Sequence, residues 1–293
     1  MRIAHRPRLA PSVLLGLACA WASSALAQVP AGAGGPVHAR PSAPASFPPP
    51  APVVPAPENL QLFLLIGQSN MSGRGLVEPQ DRVPIPRVYS LNQNLQWVPA
   101  LDPIQLERLS GVSMGRSFGR ELTAENPAMA IGLIPAAVGA TYLGEWTKGG
   151  RYYEEAVRRA RAAMKSGRIR GILWHQGEGD GQLEADALTY GVRWTKMIAD
   201  LRADLGVPDL PVVVGELCRS IYHRPDGKTK FALEVNEQLA TLPLSVPDCA
   251  FVSSDGLKDR GDHVHFDSAS QRELGRRYAH AFLELDPSWR GSP

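Results

Sequence analysis

The chain has 293 residues, 44% of them apolar and 20% charged, with a formal net charge of +2. That length and apolar content support one large folded domain with a full core. So small a net charge excludes a broad electrostatic surface for nucleic acid or for an anionic membrane.

The first residues do not belong to that domain. "MRIAHRPRLA" carries Arg2, Arg6 and Arg8, the apolar "SVLLGLACAWASSALA" follows, and Ala25-Leu26-Ala27 has the small-x-small form of a signal peptidase site. Residues 1–27 are expected to be a signal peptide cleaved after Ala27. The mature protein would then be exported, periplasmic or secreted, with no membrane span left. A short membrane anchor is the competing reading, but the segment is marginal for a span of about 20 apolar residues and no second such run exists. Lipidation of Cys19 is disfavoured by the Gly16-Leu17-Ala18 before it. Residues 28–57, including "PSAPASFPPPAPVVPAP", are rich in Pro and Ala. Such a stretch buries too little apolar surface to offset its ordering entropy, so it is expected to be a disordered linker. The domain proper is expected over 58–288.

Within the domain, periodicity alternates. "LQLFLLI" (60–66) is a short, continuously apolar run, as expected of a strand covered on both faces. A helix is predicted over 115–125, a strand over 130–136, and a charged amphipathic helix over 151–167 whose Arg158, Arg159 and Arg161 read as a solvated face. A strand follows over 169–175, then one long helix over 183–206 closed by Gly206. Strands over 211–217 and 249–254 flank a helix over 231–242. The last helix, 268–285, begins with Ser268 and Gln271 in the spacing of a capping box. Strand–helix alternation predicts a three-layer α/β/α sandwich with a central parallel sheet. Ligand sites in such sheets lie beyond the carboxyl ends of the strands. The polar residues there are Gly67-Gln68-Ser69-Asn70, Gly139-Ala140-Thr141, His175-Gln176-Gly177-Glu178, and the stretch from Asp255 to His265.

Asp262 and His265 stand three apart, just before the last helix. A carboxylate fixes the tautomer of a nearby imidazole and stabilises its charged form. The pair suits a general base for a hydroxyl, which is a weak nucleophile at its own pKa. Ser69 is the best-placed hydroxyl. The Gly-x-Ser-x-Gly elbow of α/β-hydrolases is absent, since the window reads Gly67-Gln68-Ser69-Asn70-Met71.

Three blocks, "GQSNMSGRG" (67–75), "WHQGEGD" (174–180) and "DHVHFDSASQRELGRRYA" (262–279), resemble the SGNH hydrolase superfamily. The closest resemblance is to carbohydrate esterase family 6 and the related sialate O-acetylesterase domain. It spans roughly 60–286 and implies a flavodoxin-like sheet. It also implies Ser69 as nucleophile, His265 as base and Asp262 as its orienting acid. The oxyanion donors it implies are the Ser69 N–H, a glycine N–H assigned to Gly115 in "GVSMGRSFG", and the Gln176 side-chain amide. The reaction implied is removal of O-acetyl groups from a carbohydrate such as acetylated xylan, with a sialate or small acetylated sugar as the alternative. No metal or organic cofactor is implied. The sequence departs from the usual pattern at Gly179, where serine is common, at Ala140, where a second glycine is common, and at Ser113.

Other readings stand beside these. Gln68, Asn70, Arg74 and Glu178 are candidate substrate-binding residues, and Glu178 is equally an ordinary loop carboxylate. His175 reads as a residue that orients its loop. His263 and His265 form an H-x-H pair, but alternation along a strand would separate them, so no metal site is expected. Trp146 and Trp174 are either sugar platforms or core. Cys218 and Cys249 are either a disulfide or two buried thiols, and the oligomeric state is open. A carbohydrate-binding protein without catalysis, and a scaffold tethered through residues 28–57, are the non-enzymatic alternatives.

Overall fold

The first strand, β1 (Leu60–Gly67), is buried along its whole length. Its side chains alternate between two cores, as the pleat dictates. Leu60, Leu62, Leu64 and Ile66 face one core, and Phe63 and Leu65 face the other. A strand with two apolar faces must be covered twice, and this is the physical origin of the three layers. The computed structural model describes residues 55–290. The expected signal peptide and nearly all of the Pro/Ala-rich segment therefore lie outside the described residues.

Seven strands form one sheet in the order β3-β2-β4-β1-β5-β6-β7. They are β1, β2 (Val88–Leu91), β3 (Trp97–Pro99), β4 (Ala130–Pro135), β5 (Arg168–His175), β6 (Val212–Gly215) and β7 (Cys249–Val252). All neighbours pair in parallel except β2 and β3, which are antiparallel. The mainly parallel sandwich agrees with the sequence expectation, and the antiparallel edge adds to it. Helices α3 (Arg151–Ala163), α5 (Tyr190–Leu205) and α6 (Ala232–Ser245) cover one face, burying Ala160, Trp194, Ile198 and Leu239. Helices α2 (Gly115–Glu125) and α7 (Ser268–Leu285) cover the other, where Phe118 and Phe282 pack edge-on against Phe63.

Three sequence expectations are corrected, and two open ones are decided. The predicted long helix is two, α4 (Glu184–Leu188) and α5, separated at Thr189. Arg159 is not solvated: it is 1% exposed, and its guanidinium donates to the carbonyls of Pro135, Leu91 and Asn92. It therefore satisfies backbone acceptors at the end of β4 and after β2, which a helical-face reading cannot anticipate. The cap of α7 is Asp267, whose carboxylate accepts from the Ser270 N–H at 2.7 Å. Ser268 instead donates to the Leu76 carbonyl, and Gln271 to the Asn70 carbonyl. Trp146 and Trp174 are both core, meeting edge-on at 5.7 Å. Cys218 and Cys249 are free and buried. Among the described residues no helix is long and apolar enough to cross a membrane.

Candidate active site

The polypeptide leaves β1 at Gly67, whose φ of +134° is accessible to glycine and strained for other residues. A Cβ there would lie 2.1 Å from the His175 carbonyl oxygen. The first and fifth strands can end side by side only because position 67 has no side chain. The short helix α1 (Ser69–Ser72) starts directly after it. The Ser69 N–H lies in its first turn and has no carbonyl four residues earlier in the helix to bond to.

Ser69, from the end of β1, meets His265, from the loop between β7 and α7. Ser69 Oγ lies 2.9 Å from His265 Nε2, although 196 residues separate them. His265 Nδ1 lies 2.8 Å from Asp262 Oδ2. Asp262 Oδ1 also accepts the N–H groups of His265 at 2.8 Å and of Val264 at 3.0 Å. Because ionised Asp262 can only accept, Nδ1 carries the proton and Nε2 is left to accept from the Ser69 hydroxyl. Burial pushes the His265 pKa below the ordinary imidazole value despite the opposing pull of Asp262, and Arg74 and Arg260 add to the lowering. Partial burial works against ionisation of Asp262, but the His265 N–H and imidazole outweigh it and hold the carboxyl below its usual range. The histidine is thus neutral, and able to take a proton, at neutral pH.

Asn70 joins the two halves. Its Nδ2 donates to the Val264 carbonyl at 3.0 Å and to Glu178 Oε1 at 2.6 Å, and its Oδ1 accepts from the Phe266 N–H at 3.1 Å. The residue after the serine therefore grips both neighbours of the histidine. Glu178 is buried, and its Oε2 has no hydrogen-bond partner. Burial raises its pKa to about 7.

The serine and histidine open into a cleft of about 420 Å³, lined also by Gln68, Arg74, Glu107, Leu109, Gly139, Tyr142, Glu178 and Arg224. A larger cleft of about 680 Å³ lies at the amino ends of β5 and β6, between Arg168, Arg170 and Asp209, and its lining includes no histidine. Ser69 and His265 open into the smaller one, at the carboxyl ends of the strands, where the switch-point rule expects a ligand.

Two expected oxyanion groups are placed elsewhere. Gly115 opens α2 against the core, where an added Cβ would meet side-chain carbons of Ile104 and Leu65, and it does not line the cleft. Gln176 is wholly buried, and its amide donates to Asp180 at 2.7 Å and to Gln68 Oε1 and the Thr141 carbonyl at 3.1 Å. Both its hydrogens are committed beneath the site. The amide at the cleft wall is that of Gln68, whose Oε1 accepts from Gln176 Nε2 and from the Gly177 and Gly179 N–H groups. His175 is fully buried. The Tyr278 hydroxyl donates to the Trp174 carbonyl, so His175 Nδ1 donates to Tyr278 and the ring is neutral. Burial lowers its pKa to about 3.

Sequence reasoning missed Glu107. Its carboxylate accepts from the Ser72 hydroxyl at 2.7 Å and the Gly139 N–H at 2.7 Å, and pairs with Arg74. It ties three walls of the cleft together from a loop without regular structure, and no motif marks it.

Comparison with known proteins places the chain by family and fold. A family profile described as carbohydrate esterase, sialic acid-specific acetylesterase, matches residues 59–284. A probable carbohydrate esterase of Arabidopsis thaliana is 31% identical over 250 residues, covering 78% of this chain and 92% of the relative. The X-ray structure of that Arabidopsis protein superposes with a TM-score of 0.70 at 29% identity, over 78% of this chain and 99% of that one. The crystal structure of NanS shares the fold, with a TM-score of 0.65 at 18% identity, over 82% of this chain and all of that one. The chain belongs to the carbohydrate esterase, sialic acid-specific acetylesterase family, and is a carbohydrate O-acetylesterase by class.

Proposed function

We propose that the protein removes O-acetyl groups from an exported-compartment glycan, such as acetylated xylan, through an acetyl-serine intermediate. The observation that carries this reading is the unbroken chain from Ser69 Oγ through His265 to Asp262 at the floor of the cleft. His265 Nε2 takes the Ser69 proton as Oγ attacks the acetyl carbonyl carbon. The sugar oxygen leaves with that proton. Water then attacks the acetyl-enzyme, giving its proton to His265, and acetate departs as Ser69 regains its hydrogen. The Ser69 N–H and the Gln68 Nε2 hydrogens are the donors assigned to the developing oxyanion. Loss of such a donor costs about 10²–10³ in rate. The signal-like N-terminus supports export and cleavage after Ala27, with residues 28–57 as a linker to the catalytic domain.

The family description favours a second substrate, an O-acetylated sialic acid. Acetate release from acetylated xylan, from an O-acetylated sialic acid and from an aryl acetate, by wild type and Ser69→Ala, separates the readings. Turnover of the aryl ester and one sugar by wild type, and of neither by the variant, is expected. A folded wild type no faster than the variant on all three overturns the proposal.

A further inference from the structure

The catalytic cleft does not end at its rim. It shares Arg74 and Leu109 with a second groove of about 580 Å³, lined also by Gly75, Leu76, Val77, Arg82, Ser110, Gly111 and Arg260. That volume falls within the range of about 300–1,000 Å³ common for ligand sites. Three of the lining residues are arginines, and none is acidic. The counter-charges of two lie on the catalytic side: Arg74 pairs with Glu107, and Arg260 Nε lies 3.3 Å from Asp262 Oδ2. Arg260 also donates to the Arg74 backbone carbonyl at 3.0 Å, which ties its side chain to the segment between the two grooves. Arg82 is exposed, and among the described residues no carboxylate lies within ion-pair distance of it. Its neighbours Glu78 and Asp81 are both taken by Arg272. Beside these charges, Leu76 is 80% and Leu109 66% exposed.

Guanidinium groups beside open aliphatic side chains suit one kind of occupant. A sugar ring lays its C–H face on the leucines, and a carboxylate on the ring accepts from a planar guanidinium fork. We propose that this groove is a subsite for the continuation of the glycan chain, and that it selects chains carrying uronic acid residues next to the acetylated sugar. The proposal rests on the esterase reading for its position, because the groove shares Arg74 and Leu109 with the Ser69 cleft. It goes beyond that reading in naming the charge of the polymer. The whole chain has a net charge of only +2, so attraction of an acidic glycan comes from this groove and not from the molecule's overall field.

The test is a calorimetric titration of the mature protein with a non-acetylated oligogalacturonate and with a neutral xylo-oligosaccharide of equal length. Binding of the acidic oligomer is expected to weaken about threefold to fivefold in Arg82→Ala, as for one exposed ion pair, and more in Arg82→Glu. Arg82→Lys is expected to keep most of it. Raising the salt toward 1 M, where charges are screened beyond about 3 Å, should remove the preference for the acidic chain. Equal affinity of wild type for acidic and neutral oligomers overturns the proposal, and so does an acidic affinity that Arg82→Glu leaves unchanged. Aryl acetate turnover by the same wild-type preparation tests the esterase reading separately. Turnover without acidic preference removes only the subsite, and acidic binding without turnover removes only the esterase.

Discussion

Asn70→Ala deletes the side chain that registers Ser69, the proposed nucleophile, against His265, its proposed base. Three hydrogen bonds go with it: to the Val264 carbonyl, to Glu178 Oε1, and from the Phe266 N–H. Asn70 is 0% exposed, so the backbone groups left behind have no ready access to water. A buried donor or acceptor left unpaired costs about 1–3 kcal/mol. With the Phe266 N–H and the Val264 carbonyl both stranded, the fold should lose about 2–5 kcal/mol. The catalytic effect has a different origin. His265 sits between the two released residues, and a misplacement of about 1 Å at a reacting group costs about 10²-fold. Urea unfolding reads the first quantity, and kcat and KM on an aryl acetate read the second. The expected result is a fall in kcat of about two orders of magnitude with KM little changed. A variant destabilised in this range that keeps kcat within threefold of wild type refutes the positioning argument. One that is neither destabilised nor slowed also refutes the burial argument.

Three further outcomes follow from the same geometry. The acid limb of kcat/KM should have its midpoint below the ordinary imidazole value of about 6.5. Only neutral His265 accepts the serine proton, and its pKa is lowered; Arg260→Ala, which removes a nearby positive charge, should move the limb to higher pH. Glu178 binds its proton more tightly folded than unfolded, with a pKa of about 7 against an ordinary 4.5. Stability from this group is therefore full below pH 4.5, falls as pH rises to 7, and is flat above; Glu178→Gln should gain about 3 kcal/mol on wild type between pH 4 and pH 9, read by urea unfolding at the two values. Arg159→Met strands the carbonyls of Pro135 and Leu91 in the interior, and should lower stability by about 2–4 kcal/mol in the same assay.

The elements that carried the sheet were legible because burial on both faces leaves an unmistakable trace: runs such as "LQLFLLI" admit few other environments. Strands β2 and β3 left no such trace. They have four and three residues, and β3 is only partly buried, so neither shows a period. Ser69, Asp262 and His265, singled out from residue chemistry and block resemblance, are brought within hydrogen-bond distance of one another. Gly115 and Gln176 were misplaced for one reason: sequence gives a donor's identity and not its direction. The Gln176 amide turns away to Asp180, while Gln68 lines the cleft. Glu107 was invisible because its partners, Ser72, Arg74 and Gly139, lie in distant segments that meet only in the fold.

The separation of Ser69 from His265 bears on when the protein becomes active. His265 lies in the loop between the edge strand β7 and the final helix, and α7 packs directly against α2 on one face of the sheet. A chain still emerging from the ribosome holds Ser69 long before His265, 196 residues further on. Contacts so distant in sequence close late, because the loop entropy must be met before they form. On the proposed mechanism, ester hydrolysis is then a property of the finished molecule alone.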